Sequence, residues 1–281
     1  MSGAIIIDGK SVAARLRDEL AAEVSAKNLK PGLAVILVGD NPASHVYVRN
    51  KVTACEKTGI KSFEYRLPAA STKEQIGDTI AQLNNDAQVH GILMQLPLPD
   101  HLAAAQEDLV QMIVPHKDVD GLTVANAGKL FLGMKDGLVP CTPQGGLLLI
   151  REIEKNLTGL HAVVIGRSNL FGKPMGQLLL AENCTVTQCH SRTKDLPAMC
   201  AQADILIAAV GRAKMVKGGW IKKGAIVIDV GINRLDDGKL CGDVDFAEAA
   251  VVARAITPVP GGVGPMTIAC LLQNTVRAAQ G

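Results

Sequence analysis

Ala162-Val163-Val164-Ile165-Gly166-Arg167-Ser168-Asn169-Leu170-Phe171-Gly172-Lys173-Pro174-Met175-Gly176 reads as a buried strand, a glycine-bearing turn and the opening of a helix. A short apolar run closed by glycine is the pattern of a strand covered on both faces, as in a parallel sheet. A glycine-rich turn between strand and helix lets a pyrophosphate approach backbone N–H groups and the positive end of the helix dipole. The spacing here is not G-x-G-x-x-G. On this stretch alone, a turn whose glycines merely permit close packing is an equal reading.

Downstream, Thr185–Cys189, Asp204–Ala208 and Ala225–Asp229 repeat the strand pattern at intervals that leave room for helices. A site for NAD usually carries an acid at the tip of the second strand, on the ribose hydroxyl. Here that strand ends Cys189-His190-Ser191-Arg192-Thr193, without an acid. Arg192, Ser191 and Arg167 are suited to a ribose 2′-phosphate through charge-assisted hydrogen bonds, and this favours NADP over NAD. The bland alternative is a solvated loop with a stray arginine. Upstream, Cys141-Thr142-Pro143 predicts a helix with Thr142 as N-cap and Pro143 first in the helix, running to about residue 156. Asp236-Asp237-Gly238-Lys239 predicts a hairpin turn, and Gly261-Gly262-Val263-Gly264-Pro265 precedes an apolar helix over 266–279.

The first half alternates in the same way. Strands are expected at Ala34–Val38, Ser62–Leu67 and Gly91–Met94, and helices over 10–28, 43–58, 72–84 and 102–113. Ser71-Thr72-Lys73-Glu74 has capping-box spacing, with Ser71 and Glu74 as the pair. The Gly- and Asp-rich segment Lys117–Pro140 reads as a passage between domains. Tyr47 and Lys51, four apart, share one helix face, although such a pair is more often an ordinary surface pair. Gln95 ends the strand Gly91–Met94, on the carboxyl edge where open parallel sheets bind ligands. The acids of Lys117-Asp118-Val119-Asp120-Gly121 read equally as turn residues.

Composition bounds the rest. A chain of 281 residues exceeds the usual single core, so two domains are expected. With 2% aromatic residues, the core must be built from Ala, Val, Ile and Leu. A net charge of +2 and the lack of aromatic platforms argue against nucleic acid as a partner. No apolar stretch reaches the roughly 18 residues that span a membrane. The opening Met1-Ser2-Gly3-Ala4-Ile5-Ile6-Ile7-Asp8 lacks a charged leader and cleavage site, which predicts a cytoplasmic protein. Seven cysteines without a CxxC pair, and histidines without HxxxH spacing, predict neither a disulfide framework nor a metal site.

Several stretches then resemble the methylenetetrahydrofolate dehydrogenase/cyclohydrolases: Gly91–Pro99, Lys117–Leu122, Pro140–Pro143, Gly166–Ser168, Asp229–Asn233 and Thr257–Thr267, in family order across essentially the whole chain. The resemblance implies an α/β fold with an N-terminal folate-binding catalytic domain, residues 1–139 completed by the C-terminal helix 265–281. It also implies a Rossmann-like NADP-binding domain over 140–264, a cleft between the two and a homodimer. The substrates would be tetrahydrofolate derivatives of one-carbon metabolism. Tyr47, Lys51, Gln95, Leu96 and Asp120 would form the folate site, with Pro260, Gly261, Gly264 and Pro265 lining the same cleft. Gly166, Arg167, Ser168, Gly172, Pro174, Ser191, Arg192 and Ile232 would contact NADP. Lys51 is the expected general base of the hydrolysis, Gln95 its orienting partner, Asp120 the pterin anchor and Tyr47 the residue that orients the ring system. A different NADP oxidoreductase of similar build would account for the nucleotide half but leaves Gln95 and the stretch Pro258–Thr267 unexplained.

Overall fold

Strand and helix alternate along most of the chain, and consecutive strands joined through a helix must lie parallel. The computed structural model describes residues 3–281, without the side chains of residues 42, 43, 45 and 46; Met1 and Ser2 of the opening stretch lie outside the described residues. The elements begin β1 (Ile5–Ile6), α1 (Gly9–Ala26), β2 (Gly32–Val38), α2 (Pro42–Thr58), β3 (Lys61–Leu67), α3 (Lys73–Asn85) and β4 (Gly91–Met94). They continue with α4 (Gln106–Gln111), α5 (Val124–Phe131), α6 (Cys141–Ile153), β5 (His161–Ile165), α7 (Gly172–Ala181), β6 (Thr185–Cys189), α8 (Leu196–Cys200) and β7 (Ile205–Ala208). The last are β8 (Ile226–Asp229), β9 (Asn233–Arg234), β10 (Leu240–Cys241), α9 (Phe246–Val252), β11 (Ala255–Ile256) and α10 (Val263–Ala278). The chain divides into two compact units, Ala14–Cys141 with Ile268–Gly281, and Met1–Ala13 with Thr142–Thr267.

In the first of these units the sheet runs β3-β2-β4, all parallel. The central strand β2 is buried along its whole length, as its unbroken apolar run requires. Its alternate residues Ala34, Ile36 and Val38 pack with Ile76 and Ile80 of α3 and with Ile92 of β4. The capping box of α3 falls one residue later than the sequence predicts: Thr72 Oγ1 accepts from Gln75 N at 3.3 Å, and Gln75 Oε1 accepts from Thr72 N at 2.9 Å. Ser71 is instead drawn into the preceding turn, its N–H donating to Pro68 O. The expected helix over 102–113 divides into a 3₁₀ turn, Asp100–Ala105, and α4.

The segment Lys117–Pro140 is a built part of this unit rather than a passage. Asp118 is buried and accepts from Leu122 N at 3.1 Å, Thr123 N at 2.8 Å and Asn126 Nδ2 at 2.9 Å. Thr123 caps α5, and Asn126 Oδ1 accepts from Leu138 N at 3.1 Å. A polar node organises these residues: Asn126 is the buried side chain of α5, while the large apolar Val124 and Phe131 are exposed. Gly121 turns the loop at φ +70; a Cβ there would meet Pro140 N at 2.6 Å, so only glycine fits.

In the second unit the strands run β1-β11-β8-β7-β5-β6, again all parallel. The N-terminal residues, read from the sequence with the catalytic half, cluster here because β1 adds to the sheet beside β11. Val163, Ile165, Leu206, Ala208 and Val227 share one buried core with Val244 and Ala249. β9 and β10 pair antiparallel about Gly238 at φ +81, the hairpin expected at Asp236–Lys239. The helix α6 begins at Cys141, so Thr142 lies within the first turn and not at the cap; its hydroxyl is 3.0 Å from that of Thr267. Pro143 is then third in the helix, where its missing N–H is equally harmless.

Replacing Asp118 by Ala leaves three donors around a buried site without an acceptor. We expect a loss of about 3 kcal/mol in urea denaturation, from roughly 1 kcal/mol or more per orphaned group. An unchanged midpoint would show that the node does not hold the segment.

Candidate active site

Lys51 lies on α2, one turn beyond Tyr47, and only 9% of it is exposed. Burying an amine without an opposite charge costs solvation, which favours its neutral form. Its Nζ donates to Gln95 Oε1 at 2.7 Å, and Gln95 Nε2 donates to Leu96 O at 2.7 Å. The second bond fixes the amide so that its oxygen, not its nitrogen, faces the amine. Gln95 reaches this position because β4 extends the sheet beside β2, with Gln95 N donating to Ile36 O at 2.8 Å. Burial lowers the Lys51 pKa from its ordinary range, and the Asp120 carboxylate opposes that shift. Burial likewise pushes the Asp120 carboxyl up, while Lys51 pulls it down. Tyr47, by contrast, is exposed over about half its surface, at 48%.

Two side chains, Asn274 and Cys141, fasten the carbonyl of Val119, the residue before Asp120. Asn274 of α10 donates through Nδ2 to Val119 O and to Val139 O, both at 2.8 Å. The Cys141 thiol donates to Val119 O at 3.2 Å and also reaches the Asp120 carboxylate. Both side chains are buried. Burial drives the Cys141 thiol well above the ordinary cysteine range, helped by the neighbouring Asp120 charge. It is therefore a neutral donor and not a nucleophile.

The carboxyl edge of the other unit's sheet carries the nucleotide candidates. Gly166 follows β5 directly with φ +128, and a Cβ there would lie 2.3 Å from Ala209 O, just past the end of β7. Gly172, the first residue of α7, has the Gly166 carbonyl 2.2 Å from where its Cβ would be. The two glycines thus let the turn close on itself. Ser168 Oγ accepts from Phe171 N at 3.2 Å and Gly172 N at 3.4 Å, and Pro174 is buried in the first turn. At the tip of β6, His190 N donates to Thr193 Oγ1 at 2.9 Å and Arg192 N to His190 Nδ1 at 3.1 Å. This tight turn leaves Ser191 and Arg192 exposed, as Arg167 is; Ile232, after β8, is 55% exposed. Pro260, Gly261, Gly264 and Pro265 follow β11 in the same unit as these residues.

Residues 7–120 match the catalytic domain of tetrahydrofolate dehydrogenase/cyclohydrolase, and residues 140–281 match its NAD(P)-binding domain. The chain belongs to the tetrahydrofolate dehydrogenase/cyclohydrolase family. The "Bifunctional protein FolD" of a Caulobacter species is 57% identical over 294 aligned residues, covering 100% of this chain and 98% of its own. A crystal structure of the bifunctional FolD enzyme from Campylobacter jejuni has a TM-score of 0.95 at 48% identity, covering 99% of both chains. The enzyme from Trypanosoma brucei, solved with NADP cofactor and an inhibitor, has a TM-score of 0.93 at 38% identity, covering 100% of this chain and 98% of its own.

Within this dehydrogenase/cyclohydrolase, Lys51, Gln95 and Asp120 come together as their motifs suggest. Asn274 and Cys141 join them from distant stretches; Asn274 is signalled by a polar residue in an apolar helical run, and Cys141 by its place in the family-like stretch Pro140–Pro143. Asn274→Leu keeps the volume but strands the Val139 carbonyl and leaves Val119 O with the Cys141 thiol as its donor, and should cost about 1–3 kcal/mol. Hydrogen exchange should also quicken at Gly121, whose N–H donates to Asp118 O. Native-like exchange at Gly121 in that variant would show that α10 does not brace the Asp120 loop.

Proposed function

We propose a division of labour for the family's two reactions: oxidation of 5,10-methylenetetrahydrofolate to the methenyl cation with NADP, and hydrolysis of that cation to 10-formyltetrahydrofolate. The observation that carries it is the 2.7 Å bond from buried Lys51 to an uncharged acceptor, Gln95, with Asp120 in electrostatic reach.

In the hydrolysis, water adds to the methenyl carbon, gives up a proton, and the bond from that carbon to N5 breaks as N5 takes a proton. Lys51 is the group that accepts the water proton. An ordinary lysine, at a pKa of about 10.4, is almost wholly charged near neutrality. Burial of Lys51 brings the neutral amine within reach, and the cationic substrate lowers the pKa further. Gln95 orients the amine without adding a charge that would restore the ammonium form. Asp120 binds the pterin, whose amino-pyrimidinone edge presents two parallel donors to a carboxylate. The bonds to Val119 on its N-terminal side keep Asp120 in register. Tyr47, exposed beside Lys51 on α2, orients the ring system.

In the oxidation the chain contributes alignment, because the methenyl cation is delocalised over two nitrogens and needs little acid–base help. When bound, NADP supplies the hydride acceptor. The residues of the second unit fit it: an exposed arginine and serine, and no carboxylate, stand at the tip of β6, where a 2′-phosphate needs positive charge. Gly166, Arg167, Ser168, Gly172 and Pro174 would hold the pyrophosphate side, Ser191 and Arg192 the 2′-phosphate, and Ile232 the nicotinamide side. The family resemblance further supports a homodimer acting in the cytoplasm, in the supply of formyl groups for purine synthesis. Among the described residues no helix is long and apolar enough to cross a membrane.

The first test follows NADPH and formyl-tetrahydrofolate together from methylene-tetrahydrofolate and NADP, with NAD in parallel. Both products with NADP, formed faster than spontaneous hydrolysis, are expected; no NADPH would overturn the reading. Lys51→Met should abolish hydrolysis, and full cyclohydrolase activity in that variant would remove Lys51 as the base. The neutral fraction of Lys51 grows as pH rises through its lowered pKa, so hydrolysis should rise with pH. Gln95→Glu places a negative charge beside the amine and should move that rise upward by about one pH unit or more. An unmoved profile would contradict the role of Gln95.

A further inference from the structure

Asp243 is wholly buried, with 0% of its surface exposed, and it carries no part in the site described so far. Its Oδ2 accepts from Val210 N at 2.6 Å and Gly211 N at 3.0 Å, and its Oδ1 from Arg212 N at 2.8 Å and Asn233 Nδ2 at 2.9 Å. The first three donors are consecutive amides in the loop after β7; the fourth belongs to the residue after Ile232, beyond β8. Consecutive backbone N–H groups gathered in this way form a nest for an anion. Here the anion is the protein's own carboxylate.

The carboxylate is itself held from behind. Asp243 N donates to Asp229 Oδ1 at 2.9 Å, and Val244 N to Asp229 Oδ2 at 2.8 Å. Asp229 closes β8, and its N–H donates to Thr257 Oγ1 at 2.8 Å, just past β11. The carboxyl ends of three adjacent strands, β7, β8 and β11, are thereby tied through three side chains, those of Asp243, Asp229 and Thr257. Space is tight around them: a Cβ on Gly231 would meet Asp243 Oδ1 at 2.3 Å, and one on Gly242 would meet Asp229 Oδ2 at 1.8 Å. Residues 211 and 212 lie at the surface, yet their amides point inward.

We propose that Asp243 is a positioning residue for the dinucleotide: by occupying the amide nest after β7 it reserves the turn Gly166–Gly172 as the phosphate-binding loop and fixes the loop that carries Ile232. This rests on the NADP reading above. A nest left open at the carboxyl edge would compete for the nucleotide's phosphates, and a loop released at Asn233 would no longer present Ile232 in one place. Asp243 touches neither substrate nor cofactor; it acts through the loops.

The test measures NADP binding by calorimetry in Asp243→Asn, beside hydrolysis of methenyl-tetrahydrofolate assayed without NADP. The variant keeps the volume of the side chain and loses its charge and one acceptor oxygen. We expect the Kd for NADP to rise about tenfold, from one or two lost charged hydrogen bonds, with KM for methenyl-tetrahydrofolate within about twofold. Asp243→Ala adds a second arm, in which millimolar formate should fill the empty nest, restore NADP affinity and slow hydrogen exchange at residues 210–212. An unchanged Kd for NADP, or equal damage to hydrolysis, or no response to formate would overturn the proposal. A wild-type protein that bound no NADP would overturn the cofactor reading instead.

Discussion

An amine that must lose its proton near neutrality cannot rest beside a fixed anion, and it cannot stand in water. Lys51 answers both demands: α2 carries it into the unit, β4 ends beneath it, and its partner there is the neutral oxygen of Gln95. Gln95 is in turn oriented by the Leu96 carbonyl, so the amide cannot flip without losing a bond. The Asp120 carboxylate, held in a loop of its own, opposes the effect of burial without abolishing it. The sheet order β3-β2-β4 gives this arrangement its frame, because it brings the end of β4 level with the helix that follows β2.

The two units meet a common difficulty by one device. Parallel strands all end on one edge, and the loops leaving that edge carry backbone amides without sheet partners. In the catalytic unit Asp118 collects three donors and Asn274 serves two carbonyls. In the nucleotide unit Asp243 collects four donors, backed by Asp229. Burial pushes the Asp229 carboxyl up to about 6, against the pull of the three amides it accepts. These side chains are buried, and they hold the loops on which the exposed residues of each site stand.

The sheets and most helices were legible in the sequence because apolar runs bounded by glycine are a strong signal. Gly91–Met94 and Thr185–Cys189 fall where the runs fall. Lys51, Gln95 and Asp120 were legible through motifs, since strand ends and a helix face announce them. What escaped was set by polar contacts between distant residues. No local pattern tells that Asp118 would build α5 out of an apparent linker, or that Asn274 would reach back to Val119, 155 positions away. Short elements escaped for a related reason: β1 and β11, of two residues each, exist only because they pair with one another and with β8. The cap of α3 slipped by one residue because Ser71 and Thr72 offer the same chemistry and only the turn before them chooses.

Titrating the Lys51 amine directly tests whether it reaches its neutral form at accessible pH. Reductive ¹³C-methylation, with the resonance assigned through Lys51→Met, would give the midpoint from the pH dependence of the methyl shift. We predict a midpoint below the ordinary value of about 10.4, lower still with a cationic folate bound. A midpoint at or above that value would mean that Asp120 outweighs burial and that Lys51 remains an ammonium, leaving the hydrolysis without its base.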